Sequence, residues 1–280
     1  MATNAFQSSV SLNNNGAACI RQGQFQEAIG NLSLALKSSK EALRDPAFLA
    51  APTDGTSTAT KGESDNCCAL NEIMIRSHLG CDGLDSASSS CCFDLQENFV
   101  YQSPIEIPPS MMESPIVSFG QDCSVLSTVI VFNLALAHHM AALHAKNNVC
   151  MDNNAQWRLL LQRATKLYQC SLRIMEVQAL NEIEYSDAAV SPFFLMATLN
   201  NLTQVHVELD EHEEAITKCQ KLLSLLYMVE NCSTDDHSSN ATRSASLADS
   251  SSHASDEYEC FFRAAFSLMF SQSSIGAPAA

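Results

Sequence analysis

Basic residues are scarce in this 280-residue chain: 15 Lys and Arg stand against 31 Asp and Glu, a net charge of −16. A surface of that sign repels phosphate backbones and anionic lipid headgroups, so nucleic-acid and polybasic membrane binding are not expected. Gly-rich phosphate loops, HExxH, GxSxG and CxxC are all missing, which removes the usual signatures of nucleotide, zinc-hydrolase, serine-hydrolase and zinc-knuckle chemistry. The opening residues, MATNAFQSSV, have neither a basic n-region nor an apolar h-region, so export is not expected and the twelve cysteines are expected to stay reduced. The sequons at Asn31, Asn201, Asn231 and Asn240 are then chance matches, in a cytoplasmic or nuclear chain.

Long apolar runs without charge are also rare. The exception, Val125 to Ala145, has no Asp, Glu, Lys or Arg and about the length of a bilayer span. It carries Asn133, His138, His139 and His144, which are costly in lipid, and it also suits a buried repeat helix, which is the reading preferred.

What is present is helical periodicity. Phe6, Val10, Ala17 and Ile20 share one helix face; Gly23 breaks the pattern before Phe25; Ala28, Ile29, Leu32, Ala35 and Leu36 mark a second helix. A second pair is expected over Ser124–Lys146 and Ala155–Asn181, with Trp157, Leu160, Leu161, Ala164, Leu167, Tyr168, Ser171, Leu172 and Met175 in one stripe. A third pair runs over Pro192–Leu209 and Glu211–Val229, turning at Asp210. Short amphipathic helices of this kind need each other to cover their apolar stripes.

Between these pairs the composition changes. Residues 44–98 are rich in Ser, Thr, Gly, Asp and Cys and are expected to be a disordered insertion. Phe99 to Ile107 alternates like a strand, with Pro104 restricting it to an edge or isolated position in one short β-hairpin. Residues 231–256 read as a Ser/Asp-rich linker, and 257–280 as a capping helix with a tail. The expected domains are therefore 1–43, 44–98, 99–230, 231–256 and 257–280.

In the first pair a small residue, Gly16, precedes Ala28 by twelve positions; in the third, Thr203 precedes Ala215 by the same twelve; in the middle pair Ala135 precedes Ala164 by 29. With Cys19, Gly23, Phe25, Leu32 and Ala35, and with Leu202, His206, Asp210, Cys219 and Leu222, these positions resemble the tetratricopeptide repeat. That resemblance implies an all-α fold of about three antiparallel helix hairpins, though the repeats are not in tandem. The arrangement also resembles a set of diatom proteins that share a YxxPIxIPP-like stretch, an FNLALAHH-like helix and a small-residue tail, here Tyr101 to Pro109, Phe132 to His139 and Ala277 to Ala280. This second resemblance implies a shared fold and no activity.

The tetratricopeptide resemblance implies that first helices line a groove. The expected partner-binding residues are Asn13, Ala17, Ile20 and Arg21; Phe132, Leu136, His139 and Met140; and Asn200, Gln204, Val207 and Glu208. Such a mixture suits a peptide or helix held by apolar contact and amide hydrogen bonds. Basic or amphipathic protein segments are the expected partners, and the competing reading is packing of this face against the inserted segment or the C-terminal helix. No catalytic residue, metal or cofactor is expected. Adjacent His138 and His139 point about 100° apart on a helix, and Cys67, Cys68, His78, Cys81, Cys91 and Cys92 lack a knuckle spacing. An interaction scaffold is the function expected, against an enzyme without recognisable motifs or a module regulated by its own C-terminal helix.

Overall fold

The computed structural model describes residues 2–44, 100–108, 119–148, 154–182, 192–235, 261 and 265. Six α-helices and no strand occur among them: α1 (Ala2–Arg21), α2 (Phe25–Leu43), α3 (Phe119–Asn148), α4 (Asn154–Glu182), α5 (Pro192–Glu208) and α6 (His212–Asp235). The all-α class expected from periodicity is the class found. All of the insertion expected over 44–98 except Arg44, and most of the linker and tail, lie outside the described residues. Helix α6 runs to Asp235, so the stretch 231–235 assigned to the linker is helical instead. The chain forms two compact units. The first holds α1 to α4 with residues 102–108; the second holds α5, α6, Val100, Tyr101, Phe261 and Ala265.

In the first unit, α1 and α2 pack as an antiparallel pair: Phe6, Val10, Ala17 and Ile20 of the first predicted stripe are buried, as are Ala28, Leu32 and Ala35 of the second, whose Ile29 and Leu36 are half-buried, and Ala42 joins them. The helices approach closely at Gly16, where an added Cβ would lie 2.5 Å from Leu32 Cγ. The turn follows from two backbone bonds, Gly23 N–H to Ile20 C=O at 3.0 Å and Gln24 N–H to Cys19 C=O at 2.9 Å. This is a Schellman cap, which needs a left-handed residue, and Gly23 supplies it at φ 72°.

Helix α3 is the centre of this unit. Residues Val129 to His139 are buried without interruption, because the helix is packed by α2 on one side and α4 on another. An all-round apolar helix belongs in such a place. The stretch Ser124–Asn147 is the one among the described residues long and apolar enough to cross a bilayer, and 89% of its apolar window is covered by the protein itself. The additional residues between Ala135 and Ala164 are mostly helix: α3 runs on to Asn148 and α4 already begins at Asn154, so both outgrow α1 and α2 rather than forming a long loop. Ser39 and Ser127 hydroxyls meet at 3.1 Å to tie α2 to α3, and Phe25 lies edge-on to His144 at 5.9 Å.

In the second unit, α5 and α6 repeat the first pair's turn. Asp210 N–H reaches Val207 C=O at 3.1 Å and Glu211 N–H reaches His206 C=O at 2.9 Å, with Asp210 at φ 63° in the left-handed position. Phe193, Tyr101 and Phe261 form an aromatic triangle with centroids 5.5 to 6.1 Å apart, and Cys219 Sγ donates to Ala265 C=O at 3.3 Å.

Candidate functional site

The segment over 100–108 is not a strand, contrary to the reading of its alternation. An isolated strand leaves backbone donors and acceptors unpaired, a cost that must be met somewhere. Here it is met by side-chain amides. In the first unit the Ile105 N–H donates to Asn133 Oδ1 at 2.8 Å, and Asn133 Nδ2 donates back to the Ile105 carbonyl at 2.7 Å. The Ile107 N–H donates to Asn14 Oδ1 at 2.9 Å, and Asn14 Nδ2 returns to the Ile107 carbonyl at 2.8 Å. One amide can serve both groups of one residue only where that residue's N–H and C=O face the same way, as they do in extended backbone and not in a helix.

Asn13 joins these grips into a network. Its Nδ2 donates to the Ile105 carbonyl at 3.1 Å and to Asn14 Oδ1 at 3.2 Å, while its Oδ1 accepts from Asn133 Nδ2 at 3.0 Å. Asn133 thereby uses both amide hydrogens and its oxygen, the full satisfaction that a buried amide requires. Ile105 and Ile107 are buried to 0% and 2% exposure between these amides. Glu106 between them turns outward and pairs with Arg21 on α1, an ion pair with both partners about 40% exposed.

The second unit repeats the grip on its own part of the segment. Tyr101 N–H donates to Asn201 Oδ1 at 2.7 Å and Asn201 Nδ2 donates to the Tyr101 carbonyl at 2.9 Å. Asn200 Nδ2 leans on Asn201 Oδ1 at 3.4 Å, as Asn13 leans on Asn14. The Asn201 sequon is therefore buried and its amide committed.

The twelve residues expected to line a groove are placed unequally. Asn13 holds the Ile105 carbonyl, and Arg21 pairs with Glu106. Ala17, Ile20, Leu136, Asn200 and Gln204 are buried, as are Phe132 and His139, whose rings meet Tyr168 of α4 at 5.8 and 6.1 Å. Of the set, only Arg21, Met140, Val207 and Glu208 keep appreciable exposure. The residues that do most of the gripping, Asn14, Asn133 and Asn201, were outside the expected set. Each sits two positions before the small residue of its helix, Gly16, Ala135 or Thr203, a regularity visible in the sequence once the small residues are aligned.

Histidines 138 and 139 are core groups. Burial pushes His139 down to about 3; burial and the Arg163 charge push His138 down to about 4. Both ring nitrogens of His139 and Nδ1 of His138 lack hydrogen-bond partners. Burial likewise pushes the Cys219 thiol up to about 11, which makes it a poor nucleophile. No three His, Cys, Asp or Glu side chains converge as a metal site among the described residues; the cluster from Cys67 to Cys92 lies outside them. No protein-family model, curated protein or solved structure matches this chain.

Proposed function

We propose that the chain is a non-catalytic protein-interaction scaffold of tetratricopeptide kind, acting without a cofactor, whose first helices hold an extended polypeptide by its backbone. The observation that carries this reading is the two-way grip of Asn14 and Asn133 on Ile107 and Ile105. Paired amides of this type bind main chain rather than side chains, so they suit a partner chosen by shape and apolar spacing. The accessible residues near this face, Arg21 on α1 and Met140 on α3, are where a partner makes further contact.

Affinity capture from native extract tests the proposal, using wild type and an Arg21→Glu, Met140→Ala double variant whose helicity is checked by circular dichroism. The variant is expected to lose the wild type's partners. Identical partner lists would sink it. A second reading, regulation by the C-terminal segment, is favoured by Phe261, which packs on Tyr101 and Phe193 in the second unit. Deleting residues 257–280 then increases partner capture; unchanged capture removes this reading.

A further inference from the structure

Residues 102–108 combine a grip that ignores side-chain identity with a pattern that does not. Both polar backbone groups of Ile105 and Ile107 are taken by side-chain amides, so the same sites can serve any chain that offers N–H groups at two alternate positions. Selection falls on the side chains: two aliphatic groups enclosed at 0% and 2% exposure, and one carboxylate outside them facing Arg21. Pro104 and Pro108 flank the tripeptide at positions where no N–H is used by the network. Proline there narrows the unfolded ensemble of the segment and lowers the entropic cost of holding it extended.

We infer that residues 102–108 are a resident copy of the ligand class the first unit takes. That class is an extended aliphatic–acidic–aliphatic protein segment bordered by proline, and a partner carrying it displaces the chain's own copy. The inference rests on the scaffold reading and gives its partner a chemistry. The resident copy has the advantage of covalent linkage, equivalent to a local concentration on the order of millimolar. An incoming segment therefore wins when it is itself held close by other contacts, or when the resident one is weakened.

The probe is a fluorescein-labelled octapeptide, QSPIEIPP, titrated by anisotropy into the full-length chain. An Ile105→Ala, Ile107→Ala variant weakens the resident copy, and is expected to bind the peptide at least about tenfold tighter than wild type. Because this variant is also expected to lose stability, its melting temperature is followed with and without peptide, and peptide is expected to restore it. Reversing the peptide's glutamate to arginine should weaken binding about threefold, with recovery on an Arg21→Glu chain. Equal affinity for wild type and the weakened variant overturns displacement, as does an unfolded variant that peptide does not restore. A scrambled peptide binding as well as QSPIEIPP would overturn the aliphatic–acidic–aliphatic class and leave the scaffold standing. If neither peptide binds any of these chains, the backbone grip proposed for the scaffold fails as well.

Discussion

The first and third helix pairs solve the same problem with different residues. Both place consecutive asparagines before a small residue on the first helix, both end that helix in a Schellman cap, and both use the second of them, Asn14 or Asn201, to take one residue's N–H and C=O together. They differ at the small-residue position and at the turn: Gly16 and Gly23 in one, Thr203 and Asp210 in the other. The comparison separates what the architecture requires from what each pair merely uses. The amide and the left-handed turn recur; glycine does not.

The largest expected effect is at the amides. Asn201 is fully buried, so Asn201→Ala removes two buried bonds to the Tyr101 backbone and should cost about 3 kcal/mol of unfolding free energy in denaturant titration. Asn14 is only half-buried, water can replace it, and Asn14→Ala should cost about 1.5 kcal/mol. Equal losses would break the claim that burial, rather than the bonding pattern, sets the strength of the grip.

Next comes the crossing. Gly16→Thr copies the third pair's residue into the first, yet its Cβ would meet Leu32 at 2.5 Å, and a loss of about 2 kcal/mol is expected. The reverse change, Thr203→Gly, empties a fully buried position, removes the hydroxyl bond to the Leu199 carbonyl and adds glycine's helix-propensity cost, about 2 kcal/mol together.

The middle pair buries two adjacent histidines, His138 and His139. Unfolded imidazoles take up protons near pH 6.5, whereas the folded ones resist until about 4 and 3. The unfolded state therefore binds protons first, and stability, complete above about pH 6.5, declines as pH falls toward 4. His139→Leu should remove one proton from this dependence, flattening it by about 1.4 kcal/mol per pH unit between 6 and 4. Urea midpoints across that range measure it, and an unchanged slope would show that His139 is not held neutral.

The smallest effect lies in the turns. Gly23→Ala puts a Cβ on a left-handed residue and should cost about 1 kcal/mol, while Asp210→Gly should raise stability by about 0.5 kcal/mol in thermal melts.

Much of the helical layout was legible. Of the stripe from Trp157 to Met175, Leu167 and Leu172 are half-buried and the other seven residues are buried, as their spacing implied, and Gly23 marked a turn that only a left-handed residue closes. The segment over 100–108 was misread for a physical reason. Alternation of apolar and polar side chains shows that backbone is extended, and is silent on whether its hydrogen bonds go to another strand or to asparagines. Asn133 was passed over because it lies in an otherwise apolar run, where a single amide looks like an exception to burial. It is instead the residue that satisfies both polar backbone groups of the buried Ile105. The twelve-residue spacing links Gly16 to Ala28 and does not name Leu32, whose side chain closes over Gly16 one helical turn further along. Periodicity specifies faces and not which rotamer fills a gap.

One consequence follows from Asn201. Its Asn-Leu-Thr triplet is an acceptor for an N-linked glycan, but the nitrogen that would carry the sugar is the one that donates to Tyr101. A saccharide there and the native fold exclude each other. Were the chain to meet an oligosaccharyltransferase, the order of the two events would decide its fate: early attachment would trap an open second unit, and completed folding would render the site chemically inert.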